Sequence, residues 1–230
     1  KRQGGIHLDR AAGMNAGVVG ASSVVQSPIS SGVPAATLWD YTDALKQPLI
    51  GSRADFRMVF EDEQYPYAAL DVMGYAPATV AANGAPVTPD VAAFAAPQYF
   101  NTANSTFSLD GYAAELRRLE LVAGSILTPR SFVNSQKRIK YRNREWTGTA
   151  LIKCPTLSAK DYFGQMRSGV VPLELTHGVG AGNIFELDAA RCELGVFTAS
   201  DEEGDLMLSI PFRLLPTTGT GNDELTITTK

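Results

Sequence analysis

The chain has 230 residues, 44% of them hydrophobic and 19% charged, enough for one large globular domain or two small ones. Its formal charge of -4 excludes a uniformly basic surface able to neutralise many phosphates, so tight sequence-independent DNA binding is not expected. No run approaches the roughly 18 apolar residues of a membrane helix, and Lys1-Arg2-Gln3-Gly4-Gly5 lacks the apolar block of a secretion signal.

Ile6, Leu8, Ala11 and Ala12, followed by Gly13, read as the tail of a helix stopped by glycine. With no initiator Met ahead of that tail, the chain is expected to begin upstream of Lys1. A strand is expected around Thr37 to Tyr41. Phe56, Met58 and Phe60 then alternate with less apolar neighbours, the mark of a strand with one buried face. After the acidic turn Glu61-Asp62-Glu63, Leu70 and Val72 continue the same period. The Ala-, Pro- and Gly-rich stretch from Ala76 to Pro97 reads as a linker, with a weak helix over Pro89 to Ala96 inside it. It divides the chain into residues 1–95 and 96–230.

In the second half, alternation recurs at Phe107 and Leu109, then at Trp146, Ala150, Ile152 and Cys154. A helix is predicted from Ser158 to Ser168, with Ser158 as cap, Asp161 in the first turn, Gly169 as stop, and an apolar stripe of Tyr162, Phe163 and Met166. A strand from Leu173 to Thr176 follows. The clearest strand is Leu206, Leu208, Ile210, Phe212 and Leu214, and Leu225 with Ile227 closes the series. Pro211 has no N–H to give a ladder, so that strand is placed at an edge or at a bulge. About ten to twelve short strands are expected in all.

The two halves resemble each other. Phe56, Met58 and Phe60 match Cys192, Leu194 and Val196, and Leu70 with Val72 matches Leu206 with Leu208, all at an offset of 136 positions. Each copy carries two alternating strands joined by an acidic turn, preceded by a further strand and a helix. The fold expected is therefore mainly β, a β-sandwich or partly closed antiparallel barrel with a short flanking α-helix, tandemly duplicated. Its first copy lacks the leading strands that the second has between Thr106 and Cys154.

Groups suited to catalysis are scarce. His7 and His177 are the two histidines, which limits triads and zinc sites. The run Thr176-His177-Gly178-Val179-Gly180-Ala181-Gly182-Asn183 could cradle a phosphate, but Ile184, Phe185 and Leu187 continue it as a strand and not as a helix. A hairpin turn is the better reading. Asp201, Glu202, Glu203 and Asp205 around Gly204 have the wrong spacing for a helix-flanked calcium loop, so a solvated turn is expected there too. Asn104-Ser105-Thr106 is formally a glycosylation sequon, which means little without secretion. Cys154 and Cys192 belong to no metal-ligand spacing and read as two buried free thiols. No catalytic residue, metal or cofactor is expected.

One segment runs against the acidic trend: Lys137, Arg138, Lys140, Arg142 and Arg144 put five cations within eight residues, several on one strand face. They could meet phosphate, dock on carboxylates of another subunit, or decorate a solvated hairpin. Acidic turns at Glu61, Asp62, Glu63 and at Asp201, Glu202, Glu203 make docking between copies the more attractive of the first two.

Several stretches of the second half resemble the tail tube proteins of long-tailed, non-contractile phages (siphophages). They are Phe107-Ser108-Leu109-Asp110-Gly111-Tyr112, then Glu115-Leu116-Arg117-Arg118-Leu119-Glu120-Leu121 with Pro129-Arg130, then Thr176-His177-Gly178 with Ala181-Gly182-Asn183. Leu215-Pro216 leading into Gly221-Asn222-Asp223-Glu224-Leu225 completes the set. The likeness covers roughly residues 100 to 230, and residues 36 to 75 look like the end of a preceding domain in two-domain members. The resemblance implies a structural subunit, not an enzyme, whose inner sheets join into a ring and whose rings stack into the conduit for DNA ejection. Six subunits close a ring in single-domain members and three in two-domain members, which leaves trimeric or hexameric rings open here. It further implies a tape measure protein and genomic DNA in the lumen, tail terminator and baseplate proteins at the ends, no membrane, and a place in the virion after assembly in the host cytoplasm. The other reading is a carbohydrate- or receptor-binding β-sandwich with Trp39 and Tyr41 on an exposed face.

Overall fold

The computed structural model of the chain describes residues 8–42, 45–77, 81–82, 96–134, 137–219 and 221–230. His7, and all of the helix expected over Pro89 to Ala96 except its last residue, lie outside them. One turn of helix, α1 (Leu8–Ala11), stops ahead of Gly13, whose φ of 88° is the left-handed conformation expected after a helix end. The short strands β1 (Val18–Val19) and β2 (Val24–Gln26) follow, then β3 (Ala36–Thr42), the long β4 (Leu45–Glu61), β5 (Tyr67–Tyr75) and β6 (Ala81–Ala82). Beyond the linker come β7 (Ser105–Leu109), β8 (Leu116–Val122), β9 (Leu127–Arg130), β10 (Arg138–Tyr141) and β11 (Thr147–Lys153). The helix α2 (Tyr162–Ser168) precedes β12 (Val170–His177), β13 (Phe185–Leu194), β14 (Thr198–Glu202), β15 (Asp205–Leu214) and β16 (Thr226–Thr229).

The mainly β expectation, with a short helix at the flank, is borne out. Among the described residues fourteen strands are linked by antiparallel pairing, along the path β1-β2-β16-β13-β15-β11-β8-β4-β3, while β9 and β10 form a separate pair. Among the described residues the sheets are not closed into a barrel. Long strands change neighbours along their length: β4 pairs with β3 near its start and with β8 at Arg57 to Glu61, and β13 passes from β16 to β15. The inward positions of these alternating strands make one core. Met58 and Phe60 from β4 lie in it with Leu119 and Leu121 from β8, Ala150 and Ile152 from β11, Leu208 and Ile210 from β15, and Leu173, Leu175 and Leu187 from β12 and β13. Each such Leu, Ile or Phe contributes roughly 1.5–3 kcal/mol by leaving water. Strands from both sides of the linker share that core, through β4 on β8 and β2 on β16.

Three local details depart from the sequence expectations for physical reasons. Pro211 does not put β15 at an edge, since β11 flanks it on one side and β13 and β14 on the other. The proline sits where that second neighbour changes, between the pairs Leu194–Phe212 and Thr198–Ser209, and its carbonyl accepts from Gly195 N at 2.7 Å. Its nitrogen faces the interruption, where a donor is not required. In α2 the cap is Asp161 and not Ser158: its carboxylate accepts from Gly164 N at 2.9 Å, and the helix opens only at Tyr162. Of the stripe, Tyr162 is buried and donates to Leu109 O, Phe163 is exposed, and the Met166 side chain lies outside what the structure describes. Finally, the two repeat copies pair differently. Phe56 faces Leu70 across β4 and β5, whereas Cys192 faces Leu214 and Leu206 faces Asp201. The second acidic turn belongs to the added hairpin β14–β15.

Candidate functional site

An unpaired strand border carries a row of free N–H and C=O groups. β5 pairs along most of its length with β4, and among the described residues with no second strand. It runs nine residues from Tyr67 to Tyr75, and its side chains stay exposed or half-buried throughout. Tyr67 is 54% exposed and Met73 39%, and Ile50 of β4, opposite Tyr75 at the far end of the strand, is exposed as well. Just ahead of β5, Tyr65 stacks on Tyr99 with ring centroids 4.2 Å apart, and both rings remain open to solvent.

The two acidic turns, distant in sequence, meet at one end of the sheet. Glu61 ends β4 and Asp62 follows it, while Glu202, Glu203 and Asp205 surround the β14–β15 turn. Together they line a groove of about 1110 Å³ with Glu115, Arg117, Arg118 and Lys153. Phe107, Leu151 and Met207 give it an apolar floor. Four of its six carboxylates are paired: Asp62 with Arg117 at 3.2 Å, Glu61 with Arg118 at 3.9 Å, and Lys153 with Asp205 at 3.0 Å and Glu115 at 3.9 Å. Water screens such exposed pairs, so they contribute little to stability. The hydrogen bond and charge of Asp205 raise the Lys153 pKa, keeping it cationic. Among the described residues Glu202 and Glu203 make no ion pair. Glu63 takes a left-handed φ of 57° at the β4–β5 turn, outside the groove lining, and Asp201 Oδ1 accepts from Gly204 N in the other turn.

The basic segment divides into two parts. In β10, Ile139 and Tyr141 are buried while Arg138 and Lys140 are exposed, and exposed Lys137 and Arg142 flank them. The Lys137 ammonium lies 6.0 Å from the Tyr75 ring at the end of β5. Arg144 is different. Its side chain is only 5% exposed, and its guanidinium donates to Ile29 O at 2.7 Å, to Asn222 Oδ1 at 2.9 Å and to both oxygens of Glu224 at 3.1 Å. It ties the segment after β2 and the loop before β16 to the β10–β11 connection, and presents no surface for docking.

The glycine run 178–182 forms the β12–β13 hairpin loop, with Asn183 N donating to Gly180 O. Next to it, Ser105 Oγ and His177 Nδ1 are 2.9 Å apart, and Phe100 packs on the imidazole. Burial lowers the His177 pKa, and no carboxylate reaches the ring among the described residues. Cys192 is fully buried and Cys154 partly, both as free thiols. Among the described residues, no cluster of His, Cys, Asp and Glu could hold a metal ion, and no helix is long and apolar enough to cross a membrane.

Residue periodicity brought out the acidic turns and the basic strand but missed the cations that share the groove. Their signal was the charge at Arg118 and Glu120, alternating with the buried Leu119 and Leu121. No family model matches the chain, and no characterised protein matches it in sequence.

Proposed function

We propose that the chain is the repeating subunit of a long non-contractile phage tail tube, a structural protein whose sheets complete themselves against further copies. The observation that carries this reading is β5, a nine-residue border with exposed Tyr67 and Met73 and no second strand beside it among the described residues. In an isolated molecule such a border is an aggregation hazard, whereas a closed ring removes it. The net charge of -4 suits a lumen through which DNA slides without adhering. On this reading trimeric or hexameric rings stack around the tape measure protein and then the genome, with terminator and baseplate proteins at the two ends. No catalytic step is proposed.

Negative-stain microscopy of the concentrated protein is expected to show annuli with a central channel, alone or stacked. Particles of single-copy size at every concentration would contradict the proposal. A carbohydrate- or receptor-binding role is the second reading, favoured by Trp39, which is 46% exposed on β3. The Lys46 ammonium already covers that ring at 4.1 Å, the place a sugar would take. Specific binding on a glycan array without annuli would decide for the second reading.

A further inference from the structure

The acidic groove lies at one end of the large sheet, and the separate β9–β10 hairpin adjoins its opposite end. β8 connects them: Arg117 and Arg118 near its start line the groove, and its end at Val122 leads into β9. β4 spans the same interval, from Arg53, which lies close enough to Arg138 to feel its charge, to Glu61 on the groove wall. The eight steps between those residues, at about 3.3 Å each, separate the two ends by about 26 Å.

The two ends are complementary in charge and in polarity. At the basic end Lys137, Arg138, Lys140 and Arg142 are exposed, and none has an ion-pair partner among the described residues. The tip of the β9–β10 hairpin adds two exposed apolar side chains, Phe132 at 57% and Val133 at 92%. At the acidic end six carboxylates meet three cations, leaving Glu202 and Glu203 unpaired above the floor of Phe107, Leu151 and Met207. An apolar tip flanked by surplus cations thus corresponds to an apolar floor rimmed by surplus carboxylates.

We infer that the β9–β10 hairpin of one copy seats in the groove between the acidic turns of the next copy. Phe132 and Val133 meet the apolar floor, and Arg138 and Lys140 meet Glu202 and Glu203. The two surfaces differ and lie at opposite ends, so the contact is heterologous and extends a line of copies instead of closing a dimer. This rests on the tube reading, in which β5 joins copies within a ring and the hairpin joins one ring to the next. The attraction is screened over about 8–10 Å at physiological salt, so stacking weakens as salt rises while rings persist.

Two surface variants test it, Arg138→Glu with Lys140→Glu, and Glu202→Lys with Glu203→Lys, followed by sedimentation velocity and microscopy at low salt. Each variant alone is expected to give single rings, with stacking weakened about tenfold or more. Mixing the two restores stacking, because each reversed hairpin then faces a reversed groove. Normal stacking by either variant alone, or failure of the mixture to recover, overturns the hairpin contact while the rings still stand. Absence of rings from the unaltered chain overturns the tube reading instead, and salt-sensitive lines of single copies lost in both variants would then still support the contact. Duplex DNA binding that disappears with Arg138→Glu and Lys140→Glu, with stacking intact, assigns the basic end to nucleic acid and overturns the inference.

Discussion

Arg144 illustrates how little a run of like charges says about the individual residue. It looks like a fifth member of the basic segment, yet it is closed in by Ile29, Asn222 and Glu224, while its neighbour Arg142 is exposed. Removing one partner of a buried pair strands the other without solvent, so Arg144→Ala is expected to lower the unfolding free energy by about 3–5 kcal/mol in urea denaturation. Replacing Arg144 and Glu224 together by apolar residues costs less than the single change. His177 makes a pH prediction. Burial depresses its pKa below 6.5, so the folded state holds fewer protons than the unfolded chain just below that pH. Stability is unaffected above pH 6.5 and falls as pH drops through the folded value, and His177→Gln removes that slope from the thermal unfolding profile. Burial likewise pushes the Cys192 thiol up to about 12, so a maleimide is expected to label Cys154 in the native protein and Cys192 only on unfolding. The free thiols and the hairpin glycines were legible in the sequence because each follows from local residue chemistry, but Cys154, read as buried, is only partly so, since burial depends on distant neighbours. The role of Arg144 was not legible, since its partners lie 78 to 115 positions away.

At the scale of elements, alternation identified strand faces dependably but not strand neighbours. The inward set of β15 is the alternating set read from its residues, yet its two-sided pairing was hidden because Pro211 signals an edge unless the neighbour is known to change there. The repeat offset likewise matched faces and not partners. Gly148 shows what such neighbours demand: it lies in β11 between Leu121 and Phe212, and a Cβ there would run into Glu120 O and the Phe212 ring. Gly148→Ala is therefore expected to cost about 1–3 kcal/mol, read from the denaturation midpoint. β5 makes the opposite prediction. Tyr67→Lys with Met73→Lys changes exposed side chains, so the monomer should keep its stability within about 0.5 kcal/mol. Charges along that border should nevertheless abolish ring formation in sedimentation velocity, because an incoming strand would have to bury them.

For the whole molecule, the long strands give one connected antiparallel sheet system over a shared core, with unlike ends and at least one long unsealed border. A lone copy gains nothing from that border, while in the proposed ring a strand of the neighbouring copy would pair its outward groups. Composition and charge do not reveal which border stays open, because that depends on pairings between segments far apart in the chain. Amide hydrogen exchange along Tyr67 to Tyr75, followed as protein concentration rises, tests the idea most directly. Protection of the outward-facing amides should be weak in dilute protein and rise with ring formation. Equal protection at all concentrations, whether slow or fast, would contradict it.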